Sequence, residues 1–481
     1  MALRTGDQYK EGQAKIKHNV YINGKKIENL EDNPNTKTVL DATAKVFDLG
    51  MEPQYNEIMN VASPLLGEKV SRNVHPSRSP KDLEMRAEMG LLCSQKLGTC
   101  NYRCVGCDTI HGTASVTYEM DQKLGTDYHK RFIEWLKYIQ KNDLAVSGGV
   151  MDVKGPRDLR PGEGDPDHYV RVVEKRSDGV VLRGAKMHQS GAIGADETLV
   201  IPGVATIKGE EPYAVACAVK NSQKGITYIS QYNAMSAERE FIDDNSKLGN
   251  PQYGQRETCL MVFDNVFVPN ERVFMCGETD YAHMLLLRFA KQHRMTCGGV
   301  CKAGFMDLII GGTQILAEYL GLDKAPIIRQ QITEMVKVRE ISYGCAIAAA
   351  YKGEEEPKDS GFCLPNDALG NAAKLNTCDG FWEVMKWAGD IAGGLVVTMP
   401  SEKELENPVT GPLVEKYLKV RVSAKDRMRM TKFLQNWVAG LHGVGTWHGA
   451  GPRQNQMIML YRDTDFEAKK QMAKELAGLK D

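Results

Sequence analysis

A chain of 481 residues is longer than one ordinary core requires and suggests two or three domains. With 42% apolar and 26% charged residues it can bury a sizeable core, which excludes wholesale disorder. The net charge of -1 gives no electrostatic case for nucleic acid or for an anionic membrane surface.

The opening Met1-Ala2-Leu3-Arg4-Thr5-Gly6-Asp7 lacks the apolar stretch of a secretory signal. No unbroken apolar run approaches the roughly 18 residues of a membrane span, so a soluble cytoplasmic protein is expected. To about Asp143 the chain reads mostly helical. Within Tyr128 to Asn142, Phe132, Ile133, Leu136 and Ile139 fall at helical spacing, with Lys137 and Lys141 on another face. From about Leu144 the grammar turns to strands. Tyr169 to Glu174 and Val180 to Arg183 are branched, alternating runs joined near Asp178-Gly179, a hairpin signal. Thr198 to Pro202, Tyr213 to Val219, Gly225 to Ser230 and Leu260 to Phe263 continue the short-strand pattern. After Asp280 helices return. Ile327 to Tyr351 is long and amphipathic, Ser423 suits an N-cap for a helix running towards Gly440, and Asp465 to Leu479 reads as the last helix.

The expected architecture is therefore α+β: a helical N-terminal domain over 1–143, a β middle domain over 144–279 and a C-terminal helical bundle over 280–481. That order argues against a doubly wound nucleotide fold, whose strands and helices alternate throughout. There is also no G-x-G-x-x-G after an opening strand and no G-x-x-x-x-G-K-S/T, so any nucleotide cofactor is held some other way.

Twelve cysteines in a cytosolic chain are read as thiols, ligands or catalysts rather than disulfides. Cys217 and Cys345 sit in apolar surroundings and read as small buried hydrophobes. Cys93, Cys100, Cys104 and Cys107 crowd one segment, and Cys297 and Cys301 follow His293. If the first segment is helical, Cys100 and Cys104 lie one turn apart on one face and Cys107 could face the same centre. Thiolates suit iron–sulfur or zinc, and buried structural thiols share the spacing. In His293-Arg294-Met295-Thr296-Cys297-Gly298-Gly299-Val300-Cys301-Lys302, a Gly-Gly flexion lies between the two Cys. The imidazole is the ligand that can leave iron and act as a base near neutral pH. Zinc sites use the same donors, so spacing alone does not choose the metal. Arg183 to Gly191, the Gly393-Gly394 pair and His448-Gly449-Ala450-Gly451 read as polar or close-packing loops that could also approach a pyrophosphate.

Taken together these segments resemble a known family over nearly the whole chain. Phe263-Asp264-Asn265-Val266-Phe267-Val268-Pro269 looks like the segment closing the β domain of acyl-CoA dehydrogenase-like flavoproteins. RGAKMHQSG from Arg183, DIAGGLVVTMPSE from Asp390, HGAG from His448, and Cys100-x3-Cys104 with His293 and Cys301-Lys302 resemble the 4-hydroxybutyryl-CoA dehydratase/vinylacetyl-CoA isomerase family. The resemblance implies an acyl-CoA dehydrogenase-like fold and a homotetramer binding FAD and a 4Fe–4S cluster in each subunit. It implies Cys100, Cys104, His293 and Cys301 as cluster ligands. Asp152, Lys154, His188, Gln189, Ser190, Gly393, Gly394, His448 and Gly449 would be flavin-side residues. Glu257 would be a substrate-side carboxylate, Lys302 a flanking cation and His293 both ligand and proton carrier. The implied chemistry is dehydration or isomerisation of a hydroxyacyl or enoyl-CoA thioester, through α-proton removal and flavin radical chemistry with the cluster as Lewis acid.

The chain also departs from the family. Its pattern H-R-x-x-Y-G-G-C-K here gains one residue, and Cys297 stands in place of the Tyr, so Cys297 rather than Cys301 could be the fourth ligand. Gly445-Thr446-Trp447 stands where a carboxylate usually precedes H-G-A-G, Met89-Gly90-Leu91 where an Arg is usual, and Tyr102 where an amide is usual. Several substrate-side residues have thus changed, which points to related chemistry on a different substrate. Two other readings use the same residues. One is a flavin-dependent monooxygenase or dehydrogenase of this fold without cluster chemistry, the other a zinc-stabilised structural assembly protein.

Overall fold

The computed structural model describes residues 3–254 and 256–479, the side chain of Leu441 excepted. Helices dominate both ends and strands the middle. Near the N-terminus, Ser79 caps the Pro80–Leu97 helix and Gly98, at φ 59°, ends it. A short connector then leads into the Cys104–Leu124 helix. Tyr128–Lys141 forms the amphipathic helix that its spacing predicts, burying Phe132, Trp135, Leu136 and Ile139.

Two sheets make up the β region. The larger has six strands in the order Lys25–Ile27, Val20–Ile22, Ile226–Ser230, Thr258–Pro269, Gly179–Ser190 and Arg171–Lys175. The smaller has four, in the order Val273–Cys276, Val215–Lys220, Glu197–Val200 and Val146–Gly149. The first two strands of the larger sheet come from the segment that reads as helical. Asn23-Gly24, both at positive φ (51° and 71°), turn a two-residue hairpin there. Its Val20–Ile22 strand runs parallel to Ile226–Ser230. The two longest strands matter most for the site. Thr258 pairs with Ser190 and Cys259 with Gln189, so Glu257 and the His188–Ser190 end of its neighbour emerge side by side.

The C-terminal part packs Cys301–Leu320, Pro326–Tyr351, Asp367–Ala392 and Ala424–Val438 around Phe305, Ile309, Leu316, Met335, Phe381, Val384, Leu434 and Trp437. Ser423 caps the last of these helices through Asp426 N–H, and Asp465 caps Phe466–Ala477. The helical run Thr279–Leu320 is long and apolar enough to cross a membrane, but 67% of its most apolar stretch is buried inside the protein. Cys217 is fully buried, whereas Cys345 is only half-buried.

Candidate active site

Cys100 does not share a helix face with Cys104. Gly98 stops one helix before it, so Cys100 lies on the connector and Cys104 is the first residue of the next helix. The connector nonetheless folds the two thiols into hydrogen-bond contact. That contact and burial raise Cys104 well above an ordinary thiol, and the Cys297 and Asp108 charges add to the effect. Cys107, one turn on, faces elsewhere: its thiol donates to the Arg72 carbonyl at 3.5 Å and lies 3.9 Å from His111 Nδ1.

The second group of donors comes from a π-helix, Arg294–Val300, set between two α-helices. The Cys301 N–H bonds five residues back to the Thr296 carbonyl, so the residue added to the family pattern is absorbed as a widened turn. Cys297 thereby stays in contact with both His293 and Cys301. The Cys301 thiol donates to Cys297, whose sulfur also meets the His293 ring and accepts from Lys302 Nζ at 3.3 Å. The Cys301 contact, opposed by burial and aided by Lys302 and His293, holds Cys297 well below an ordinary thiol. Contact with Cys297 and burial raise Cys301. Gly298-Gly299 is not a flexion. A Cβ on Gly299 would lie 2.6 Å from Ala346 Cβ and one on Gly298 3.0 Å from Lys374 Cβ, so the pair lets two bundle helices approach the π-turn.

His293 is held by a residue that the motifs do not announce. Its Nδ1 donates to Asp108 Oδ2 at 2.7 Å, which leaves the Nε2 lone pair for a metal or a proton. Asp108 is fully buried; it also accepts from Thr296 Oγ1 at 2.9 Å and from Arg86 Nη2 at 3.2 Å. Burial works against the imidazolium, but the Cys297 thiolate and Asp108 outweigh it and push His293 up to about 10. Asp108 follows Cys104 by four residues on one helix face, the one sequence signal that could have found it. Electrostatic coupling of Cys104 with both Cys297 and Cys301 ties the early thiols to the late ones. Among the described residues no three His, Cys, Asp or Glu side chains close on a single point as the ligands of one ion do. The donors instead form two contacting thiol pairs and an oriented imidazole, a soft, buried set that suits a polynuclear iron–sulfur centre better than one zinc ion.

Tyr102 links this centre to the sheet: its Oη accepts the Glu257 N–H at 3.0 Å. Glu257 is buried. Its Oε1 accepts from Ser230 Oγ at 2.8 Å, while its Oε2 has no hydrogen-bond partner among the described residues. Burial, only partly offset by the Ser230 hydroxyl and the Gly191 N–H, pushes the carboxyl up to about 7. A carboxyl with one free oxygen that titrates near neutrality is suited to taking and returning a proton.

Lys302, buried to 1% exposure, joins a basic group on the other side. Here Gly445 and Gly449 of the C-terminal segment make room for cations. A Cβ on Gly445 would lie 2.3 Å from Arg256 Nη2, and one on Gly449 3.1 Å from Lys302 Nζ. Lys374, also fully buried, donates to the Trp447 carbonyl at 2.6 Å. Burial and the neighbouring Lys302 pull it down to about 8. Burial with Arg256, His448 and Lys154 lowers His188, and burial with Lys374 and Arg256 lowers His448. Arg256, Lys374 and the fully buried His442 were not anticipated from the sequence.

The structure thus brings together Cys100, Cys104, His293, Cys301, Lys302 and Glu257, with His188, Lys154, His448 and Gly449 around them. Gln189 is buried and bonds back to the Met187 carbonyl, and Ser190 pairs with Thr258. Asp152 is engaged internally: it accepts from Lys186 Nζ at 2.7 Å, Val170 N–H at 3.1 Å and Gly203 N–H at 3.2 Å. Gly393 and Gly394 end the Asp367–Ala392 helix, with nothing among the described residues within 4 Å of a Cβ built on either.

Fold and site together define an enzyme whose proton-handling and soft-ligand groups meet where the β region abuts the C-terminal bundle. The chain belongs to the 4-hydroxyphenylacetate 3-hydroxylase family: the N-terminal family model matches residues 5–275 and the C-terminal model residues 282–478. Within it the chain is 39% identical to 4-hydroxybutyryl-CoA dehydratase/vinylacetyl-CoA-Delta-isomerase of Clostridium aminobutyricum, over 99% of this chain and 100% of that one. A solved oxygen-tolerant archaeal 4-hydroxybutyryl-CoA dehydratase from N. maritimus superposes with TM-score 0.95 at 35% identity, covering 100% of this chain and 96% of that chain. The oxygenase component of 4-hydroxyphenylacetate 3-monooxygenase in complex with FAD shares the fold, with TM-score 0.84 at 22% identity over 98% of each chain. The α+β architecture expected from the sequence is the one observed.

Proposed function

We propose that this enzyme is a flavin- and iron–sulfur-dependent hydro-lyase or isomerase acting on a hydroxyacyl or enoyl-CoA thioester. The full-length identity of 39% to a 4-hydroxybutyryl-CoA dehydratase carries the reaction class. What supports the cofactors is the buried donor set beside an open carboxylate, together with an FAD-bound neighbour of the same fold. His188, Gln189, Ser190, Lys154, His448 and Gly449 would hold FAD. Gly393-Gly394 and the internally engaged Asp152 would support the cofactor from further out. Cys100, Cys104, Cys301 and His293 would hold a 4Fe–4S cluster. When bound, the flavin supplies one-electron exchange and the iron a Lewis acid for a leaving hydroxyl.

The residues of the chain then have separate tasks. Glu257 holds or accepts a proton at Oε2. His293, kept in register by Asp108, would hold or move a proton at Nε2. Lys302 places a desolvated positive charge beside the sulfur centre, where it steadies negative charge developing on a thioester carbonyl. A homotetramer in the cytoplasm is part of the same reading. It is supported by apolar side chains that one chain leaves exposed on its C-terminal helices, among them Tyr417 at 70%, Tyr461 at 73% and Leu476 at 92% exposure.

The test is an anaerobic assay with 4-hydroxybutyryl-CoA, vinylacetyl-CoA and a panel of other hydroxyacyl thioesters. Formation of a conjugated enoyl-CoA from any of them is the expected result. Hydroxylation of a phenol with reduced flavin and oxygen, and no turnover of thioesters, would place the chain with its monooxygenase relatives instead.

A further inference from the structure

The centre collects one more donor than a four-iron cluster needs. Cys100, Cys104, Cys301 and His293 would suffice, yet Cys297 lies in contact with both Cys301 and His293 and is 8% exposed. In an uninterrupted α-helix, positions four and eight residues apart drift around the axis. The wider π-turn over 294–300 offsets that drift and keeps Cys297 within reach of both His293 and Cys301. Lys302 Nζ, 3.3 Å from Cys297 Sγ, places a buried positive charge beside the additional thiolate. Asp108 grips the imidazole from its Nδ1 side, so His293 remains docked whether or not its Nε2 is engaged.

We propose that Cys297 is an alternative ligand for the iron that His293 holds. The exchange is a simple substitution. One iron–nitrogen bond breaks, one iron–sulfur bond forms, and no electron is transferred. The neutral imidazole leaves with a free lone pair on Nε2 that accepts a proton, while the Lys302 ammonium balances the added thiolate charge. The cluster thus stays whole while its histidine works as a base. This inference rests on the cluster assignment above.

The test uses the full chain, reconstituted anaerobically with iron and sulfide, as the parent protein, as His293→Ala, as Cys297→Ala and as the double variant. Iron, sulfide and flavin are counted and the three-iron signal is sought by electron paramagnetic resonance. Both single variants should keep the parent's iron, and the double variant should lose about one iron in four and show the three-iron signal. Mössbauer spectra of His293→Ala should show all irons bound by sulfur, a readout that does not depend on the double variant folding. An oxygen-bound iron or a three-iron signal in His293→Ala, loss of iron in Cys297→Ala, or a whole cluster in the double variant would overturn the proposal. A parent chain that takes up no iron would overturn the cluster assignment along with it.

Discussion

The sulfur side and the basic side of the site solve their electrostatics differently. On the sulfur side each charge has a partner within the chain: Asp108 meets Arg86, Thr296 and His293, and Cys297 meets Lys302. On the basic side Lys374 finds only a carbonyl and the Cys378 thiol, and Arg256 makes no ion pair among the described residues. Buried or crowded cations without anions are costly unless something negative completes the site. The contrast teaches that the first side is preorganised by the fold, whereas the second is built to receive charge from a ligand, such as the phosphates or thioester of a bound cofactor or substrate.

The comparison can be broken most sharply on the sulfur side. Cys100→Ala removes a donor for which no spare lies on that connector, so iron content should collapse, and full retention would detach Cys100 from the centre. Next in size is Glu257→Gln, which should lower kcat by about 10²–10⁴-fold while leaving iron and flavin bound. Its carboxyl is raised from 4.5 to about 7 in the fold. Between those values the folded chain holds a proton that the unfolded chain has lost, so stability falls as pH rises through this window. The glutamine variant should therefore be more stable than the parent at pH 8, by a few kcal/mol, and nearly equal to it below pH 4.5. Thermal unfolding at the two pH values checks the sign.

Asp108→Asn should cost roughly 10–100-fold in turnover by loosening the imidazole. A shifted pH profile would separate that role from plain destabilisation. The smallest effect is expected on the basic side. Gly445→Ala pushes a Cβ against the end of the flexible Arg256 side chain, so KM should rise a few-fold with kcat and iron unchanged. A larger loss of kcat than of KM would show that Arg256 acts on the chemistry rather than on binding.

Much of this was legible in the sequence. The strand grammar from Leu144 and the cap at Ser423 found their elements because period and capping are local signals. The Val20–Ile27 hairpin was missed although Asn23-Gly24 marks it, because a three-residue strand is too short to show alternation. At the site, residue type draws attention to the Cys and His clusters, and the family resemblance singles out Cys100, Cys104, His293 and Cys301 from them. Their geometry is not legible there, since Cys100 lies on a connector, Cys104 opens the next helix, and His293 and Cys301 flank a π-turn that only an inserted residue betrays. Asp108, Arg256 and Lys374 escaped notice because an acid or a base in an amphipathic helix or a loop reads as solvated surface until packing buries it.

The central claim, that an early connector and a distant π-turn meet around one iron–sulfur centre beside a flavin, is tested most directly by composition. Protein purified without oxygen should carry iron and acid-labile sulfide in equal amounts, a full 4Fe–4S complement for each bound FAD. Stoichiometric flavin with neither iron nor sulfide, even after reconstitution, would contradict it.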